Sequence, residues 1–183
     1  MFNLNLSDKK IIKVAFFSYL KATLLALLIS LFLTTFVFKL GTIPSPSMYP
    51  TLKVNDKVFA LVNYNRNNLR RGDVIVFKSY DSNNNSYFVI KRLIGLPGDQ
   101  IKITENGEVF INNSRFICSY AIETPETQEL NFKVPVGEYF FLGDNRSNSY
   151  DSRYWEYSYV KSKDIVGKAI IRYYPMTSIS LIN

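Results

Sequence analysis

The sequence has no histidine and a single cysteine, Cys118. Without histidine there can be no Ser-His-Asp triad, no Cys-His dyad and no His-ligated zinc. A lone cysteine excludes an internal disulfide and a Cys-rich metal centre, and Cys118 reads as a small buried hydrophobe. Carboxylates are not spaced as in hard-cation loops, so neither a metal nor another cofactor is expected. No zinc-finger spacing, RNA-binding aromatic motif or helix-turn-helix pattern occurs, so nucleic acid is not an expected partner. Internal repeats and low-complexity tracts are also missing. A hydrolase built from this chain must take its base from Lys, Asp, Glu or Tyr.

What is present describes a folded chain. Its 183 residues are 47% apolar and 20% charged, which suits one domain with a short appendage. The appendage is N-terminal. Residues 22–38 read ATLLALLISLFLTTFVF without a charge, and extending back to Val14 gives a run long enough to cross a bilayer, which takes about 20 residues. Lys21 can snorkel to the headgroups. Lys9, Lys10 and Lys13 precede the run and Lys39 stands alone after it, an asymmetry that puts the N-terminus in the cytoplasm. A cleaved secretory signal has a shorter apolar core and a small-x-small site, and residues 39–44 offer no such site. The expected organisation is a cytoplasmic N-terminus at 1–13, a transmembrane helix at 14–38 and an extracytoplasmic β-domain at 39–183. The net charge of +7 is then explained in part by orientation and contact with anionic lipid.

The exported part reads as mainly β. Residues 73–78, 87–94, 101–104, 108–111, 138–142 and 169–173 are short apolar or alternating runs. Asn106-Gly107 between two of them is a strong hairpin signal. Residues 81–86 read as a hairpin tip, and Glu123 to Asn131 as a polar excursion over the surface. No useful helical period follows residue 40.

Three stretches are candidates for chemistry. In 43–52, three prolines in seven residues stiffen the backbone around Ser47, which suits a nucleophile and equally a rigid linker. In 88–94, strand alternation puts Lys91 on the face of Val89 and Leu93, and Arg92 on that of Ile90 and Ile94. One of the two cations must then sit among apolar neighbours. A desolvated lysine loses its proton more easily and can serve a serine as general base; an edge-strand lysine with its head in water is the bland alternative. In 142–153, two Asp, two Arg, two Asn and three Ser follow an apolar strand, dense enough for a rigid polar network or a structured turn.

Together these stretches resemble the bacterial type I signal peptidases, membrane-bound Ser/Lys proteases of peptidase family S26. Four blocks fall in the family's order: Ser45-Pro46-Ser47-Met48-Tyr49-Pro50-Thr51-Leu52; Arg71-Gly72-Asp73-Val74-Ile75-Val76-Phe77; Ile90-Lys91-Arg92-Leu93-Ile94-Gly95-Leu96-Pro97-Gly98-Asp99; and Gly143-Asp144-Asn145-Arg146 with Ser149, Asp151, Ser152 and Arg153. The resemblance implies a catalytic β-core on a single N-terminal transmembrane helix. It implies Ser47 as nucleophile, Lys91 as base, and an oxyanion site made by the Ser47 N–H and the Ser45 hydroxyl. Ser149 matches a hydroxyl that orients the lysine, and Asp151 and Arg153 match a bracing pair. An extended substrate would pair near Ile43, Pro44 and Pro46 and near Phe88, Val89 and Ile90. The implied substrates are signal-peptide-bearing preproteins cut after Ala-x-Ala, at the bacterial cytoplasmic membrane, in contact with lipid and near the secretion translocase.

The departures are modest. Pro46 stands where relatives often carry a small residue such as Gly, Ser147 stands where an acid is frequent, and the short stretch between Lys91 and Gly143 leaves no room for a large extra β-domain. Three rivals remain: a self-cleaving repressor-type peptidase, disfavoured by the anchor; a conjugation-pilus maturation peptidase; and a non-catalytic membrane-tethered peptide-binding module. The aromatic run Tyr154-Trp155-Glu156-Tyr157-Ser158-Tyr159 is either core or a membrane-interface contact.

Overall fold

In a computed structural model, which describes residues 6–33, 37–62, 68–122, 124–126 and 128–182, the chain divides into two units at Phe38/Lys39. The first holds α1 (Leu6–Phe32). Its stretch Ile11–Phe32 has a mean hydropathy of 1.9 and is long enough to cross a membrane. Leu, Ile and Phe residues are exposed along it. The helix ends before residue 38, the end expected for the transmembrane segment, and a strand already begins there.

The second unit is built from β1 (Phe38–Thr42), β2 (Lys57–Val62), β3 (Val74–Tyr80), β4 (Ser86–Gly95), β5 (Gln100–Ile103), β6 (Val109–Ile111), β7 (Ser114–Phe116), β8 (Leu130–Lys133), β9 (Glu138–Leu142), β10 (Val160–Lys161), β11 (Ile165–Tyr174) and β12 (Ser180–Leu181). Eight strands form a sheet in the order β1-β2-β11-β3-β4-β9-β10, with β12 added to β11. The other four form a small sheet, β7-β6-β5-β8. Among the described residues after 40, helix occurs only as single 3-10 turns, in line with the missing helical period.

The hairpins follow from turn chemistry. Between β3 and β4 the Asp81 carboxylate accepts the N–H groups of Asn83 and Asn85, and Asn84 takes the left-handed conformation. Between β5 and β6, Gly107 has φ +82°, and a Cβ there would lie 2.3 Å from the Thr124 carbonyl oxygen, so only glycine fits.

Three apolar clusters fill the unit. Ile75, Phe77, Leu93 and Phe141 lie on one face of the large sheet. Ile94, Ile101, Val109, Phe140 and Leu142 join the two sheets. Ile43, Met48, Leu52, Val58, Val74, Ala169 and Ile182 pack under residues 43–52.

The reading of Glu123 to Asn131 as a surface excursion needs correction at two points. Leu130 and Asn131, read as the end of a surface excursion, open β8, where Ile101 and Lys102 of β5 pair with Phe132 and Asn131. Within the same stretch the Glu126 side chain is buried against Arg153; Glu123 and Thr127 lie outside the described residues.

Candidate active site

Ser47 sits in a 3-10 turn, Pro46–Met48. Pro46 occupies its first position, where a missing N–H costs nothing, and Ser45 before it is extended (φ −135°, ψ 158°), as a residue preceding proline prefers. Met48 and Leu52 are fully buried below and tie the turn to the core. From the side, the N–H of Asn145 donates to the Ser47 carbonyl at 3.1 Å. The segment is therefore no linker: Ser47 is 5% exposed on a backbone held from two directions.

Lys91 lies on β4 opposite Ile75, and Arg92 lies opposite Val74 and Leu142. The strand is covered on both faces, so both cations are buried, at 5% and 0% exposure, where alternation required only one. The Lys91 ammonium donates to Ser47 Oγ at 2.6 Å. Burial pushes the lysine down from the ordinary value to about 8; Asp151 and Asp144 oppose this and Arg153 reinforces it. Ser45 Oγ lies 3.2 Å from Ser47 Oγ. A hydroxyl, an amine able to lose its proton near neutral pH and a second hydroxyl thus converge at one point.

Residues 143–153 form the polar network. Asp151 accepts the Gly143 N–H at 2.9 Å and pairs with Arg153, whose guanidinium also donates to the Arg146 carbonyl. Ser152 Oγ accepts the Phe141 N–H at 2.9 Å. A Cβ on Gly143 would lie 2.6 Å from the Ser47 carbonyl oxygen, so the loop can approach the nucleophile only with glycine there. Ser149, the hydroxyl that the resemblance gave the role of orienting the lysine, has its Oγ buried without a hydrogen-bond partner among the described residues. Residue reading missed the second ion pair. Arg92 clamps Asp144 through two bonds of 2.7 Å, donates to the Gly72 carbonyl and lies 4.1 Å from the Tyr120 ring centroid. Its signal was the cation beside Lys91 on the opposite face of a doubly buried strand.

A cleft of about 340 Å³ opens over Ser47 and Lys91. Pro44, Ser45 and Pro46 form one wall and Phe88, Val89 and Ile90 the other, with Tyr150 and Trp155 at the side. Ile43 does not belong to it. Its side chain is 2% exposed in the core, its N–H donates to the Asp56 carbonyl and its carbonyl accepts from Asn55, so its N–H is committed within the fold. On β4, the Leu93 N–H donates to Asp73 and its carbonyl accepts from Gly72. Antiparallel alternation then turns the N–H and C=O of Phe88 and Ile90 away from β3. β9 pairs with β4 only from Arg92 to Gly95, so that edge is open along the cleft. Trp155 packs edge-on against Phe77 with centroids 5.9 Å apart, which places the aromatic run's tryptophan at the core and cleft.

A serine hydroxyl and a buried lysine amine at hydrogen-bond distance, in a chain without histidine, define a site of the serine–lysine hydrolase class. Comparison with known proteins agrees. The sequence model of the family described as "Signal peptidase, peptidase S26" matches residues 16–174. Signal peptidase I of Leptolyngbya laminosa is 41% identical over 159 residues, covering 83% of this chain and 76% of the relative. Signal peptidase I P of Bacillus subtilis subsp. natto is 35% identical over 173 residues, covering 88% and 90%. The crystal structure of a signal peptidase I from Enterococcus faecalis V583 shares 32% identity, covers 55% of this chain and 95% of its own, and superposes with a TM-score of 0.44. The chain belongs to the signal peptidase family, peptidase S26.

Proposed function

We propose that this protein is a type I signal peptidase, a serine endopeptidase with Ser47 as nucleophile and Lys91 as general base. The observation that carries the reading is the 2.6 Å Lys91 Nζ–Ser47 Oγ contact at the floor of a cleft with one open strand edge. An extended peptide can add to the Phe88–Ile90 edge and run past Pro44–Pro46 on the other side. Its scissile carbonyl then lies over Ser47. The neutral amine of Lys91 takes the Oγ proton as Oγ bonds to the carbonyl carbon. The oxyanion is held by the Ser47 N–H, which heads a 3-10 turn and has no acceptor within it, and by the Ser45 hydroxyl. The lysine ammonium protonates the departing amine as the C–N bond breaks. Water then releases the acyl group, again with Lys91 as base.

The substrates are signal-peptide-bearing preproteins, cut after small residues of an Ala-x-Ala pattern. The N-terminal helix anchors the protein in the bacterial cytoplasmic membrane. The Lys9, Lys10 and Lys13 cluster keeps the N-terminus in the cytoplasm and the catalytic unit outside, beside lipid and near the translocase. A substrate whose own apolar segment lies in the same bilayer is presented to the enzyme without a three-dimensional search, which removes much of the entropy of positioning. The test is a detergent-solubilised preparation given a preprotein with an Ala-x-Ala site. The parent should cut after the second alanine and Ser47→Ala should leave the preprotein intact. Cleavage by the alanine variant, or none by the folded parent, contradicts the reading.

A further inference from the structure

The segment between β7 and β8 reaches across to the catalytic loop. The Ile122 N–H donates to the Asp144 carbonyl, and the Ile122 carbonyl accepts from Arg146. Four residues on, the Glu126 N–H donates to the Glu105 carbonyl, which holds Glu126 from the small sheet's side. The Glu126 carboxylate turns inward. It is 7% exposed, pairs with Arg153 at 2.5 Å and accepts the Tyr154 hydroxyl at 2.8 Å. Arg153, 1% exposed, is thereby shared between two carboxylates, Glu126 and Asp151. Asp151 alone neutralises the guanidinium but accepts only from Nε and Nη2, and Glu126 supplies the acceptor for Nη1.

We propose that Glu126 is a positioning residue of the Ser47–Lys91 site: through Arg153 it holds the 143–153 loop in place and sets that loop's charge. The inference rests on the Ser/Lys reading above. The groups around Lys91 show why the charge matters. The loop contributes Asp151, Arg153 and Asp144, while its other cation, Arg146, donates to the Gly143 carbonyl. β4 contributes Arg92, neutralised by Asp144. β3 contributes Ile75 opposite the lysine, and Asp73, just before the strand, pairs with Lys168. The Ser47 turn contributes no charge. Counting Glu126, the Asp151–Arg153–Glu126 group carries one net negative charge; without it the group is neutral and the lysine ammonium loses support.

The test is the pH dependence of preprotein cleavage by Glu126→Gln and Glu126→Asp beside the parent. Glu126→Gln keeps the shape and removes the charge. Its rising limb should move to lower pH by about half a unit, roughly a threefold gain in activity relative to plateau on the acid side. Glu126→Asp keeps the charge and shortens the reach. Its limb should stay in place while kcat falls about tenfold at unchanged KM, as expected when a reacting pair is slightly misplaced. A limb unmoved in the glutamine variant overturns the charge role. If that variant does not fold, the aspartate variant decides, and unchanged kcat there overturns the positioning role. Failure of the Ser/Lys reading shows separately, as parent activity that survives Ser47→Ala.

Discussion

Lys91→Met is expected to lower kcat/KM for preprotein cleavage by about four orders of magnitude or more while leaving the fold intact. A serine hydroxyl is a weak nucleophile, and in this chain the group placed to take its proton is the Lys91 amine, 2.6 Å away. No histidine is present to substitute. Methionine fills similar volume among Ile75, Leu93 and Val89, and it removes the cost of desolvating an ammonium. Its melting temperature should therefore equal or exceed the parent's, so that lost activity cannot be blamed on unfolding. A Met variant retaining a tenth of parental activity would remove Lys91 from the mechanism.

The largest effect on stability is expected at Asp144. Arg92 is wholly buried, and its guanidinium is satisfied by the bidentate Asp144 carboxylate, with the Gly72 carbonyl and Thr51 hydroxyl alongside. Asp144→Ala leaves a buried cation without its counter-charge, which costs about 3–5 kcal/mol. In a domain of this size that lowers the melting temperature by roughly 10 °C or more. The double variant Arg92→Met/Asp144→Ala should recover much of the loss, because the uncompensated charge is gone. Thermal unfolding of the two variants checks both statements; equal destabilisation of single and double variants would show that the carboxylate acts by packing rather than charge.

The elements that were legible in the sequence are those whose signals are local. Short apolar runs marked β3, β4 and β9, and Asn106-Gly107 between alternating residues marked the β5–β6 hairpin. Ser47 and Lys91 were ambiguous singly, a linker serine and an edge lysine, and became legible through the order of four blocks. What escaped depends on partners far away in the chain. Arg92 is buried because Asp144, 52 residues on, neutralises it. Glu126 stands in a polar run that reads as solvated, and only Arg153, 27 residues on, draws it inside. Ile43 was expected beside an extended substrate, yet its N–H donates to the Asp56 carbonyl and its carbonyl accepts from Asn55. Ser149 was read as a hydroxyl that orients the lysine, and its oxygen lies buried beside Gly143.

The pH dependence of kcat/KM for an Ala-x-Ala preprotein, from pH 6 to 10, tests the Ser/Lys mechanism most directly. The active form carries the neutral amine, and burial places the lysine's proton loss at about 8. Activity should rise about tenfold per pH unit below that point and level off above it, since at pH 7 roughly a tenth of the molecules carry the neutral base. A profile flat across this range would mean that no lysine amine takes the Ser47 proton.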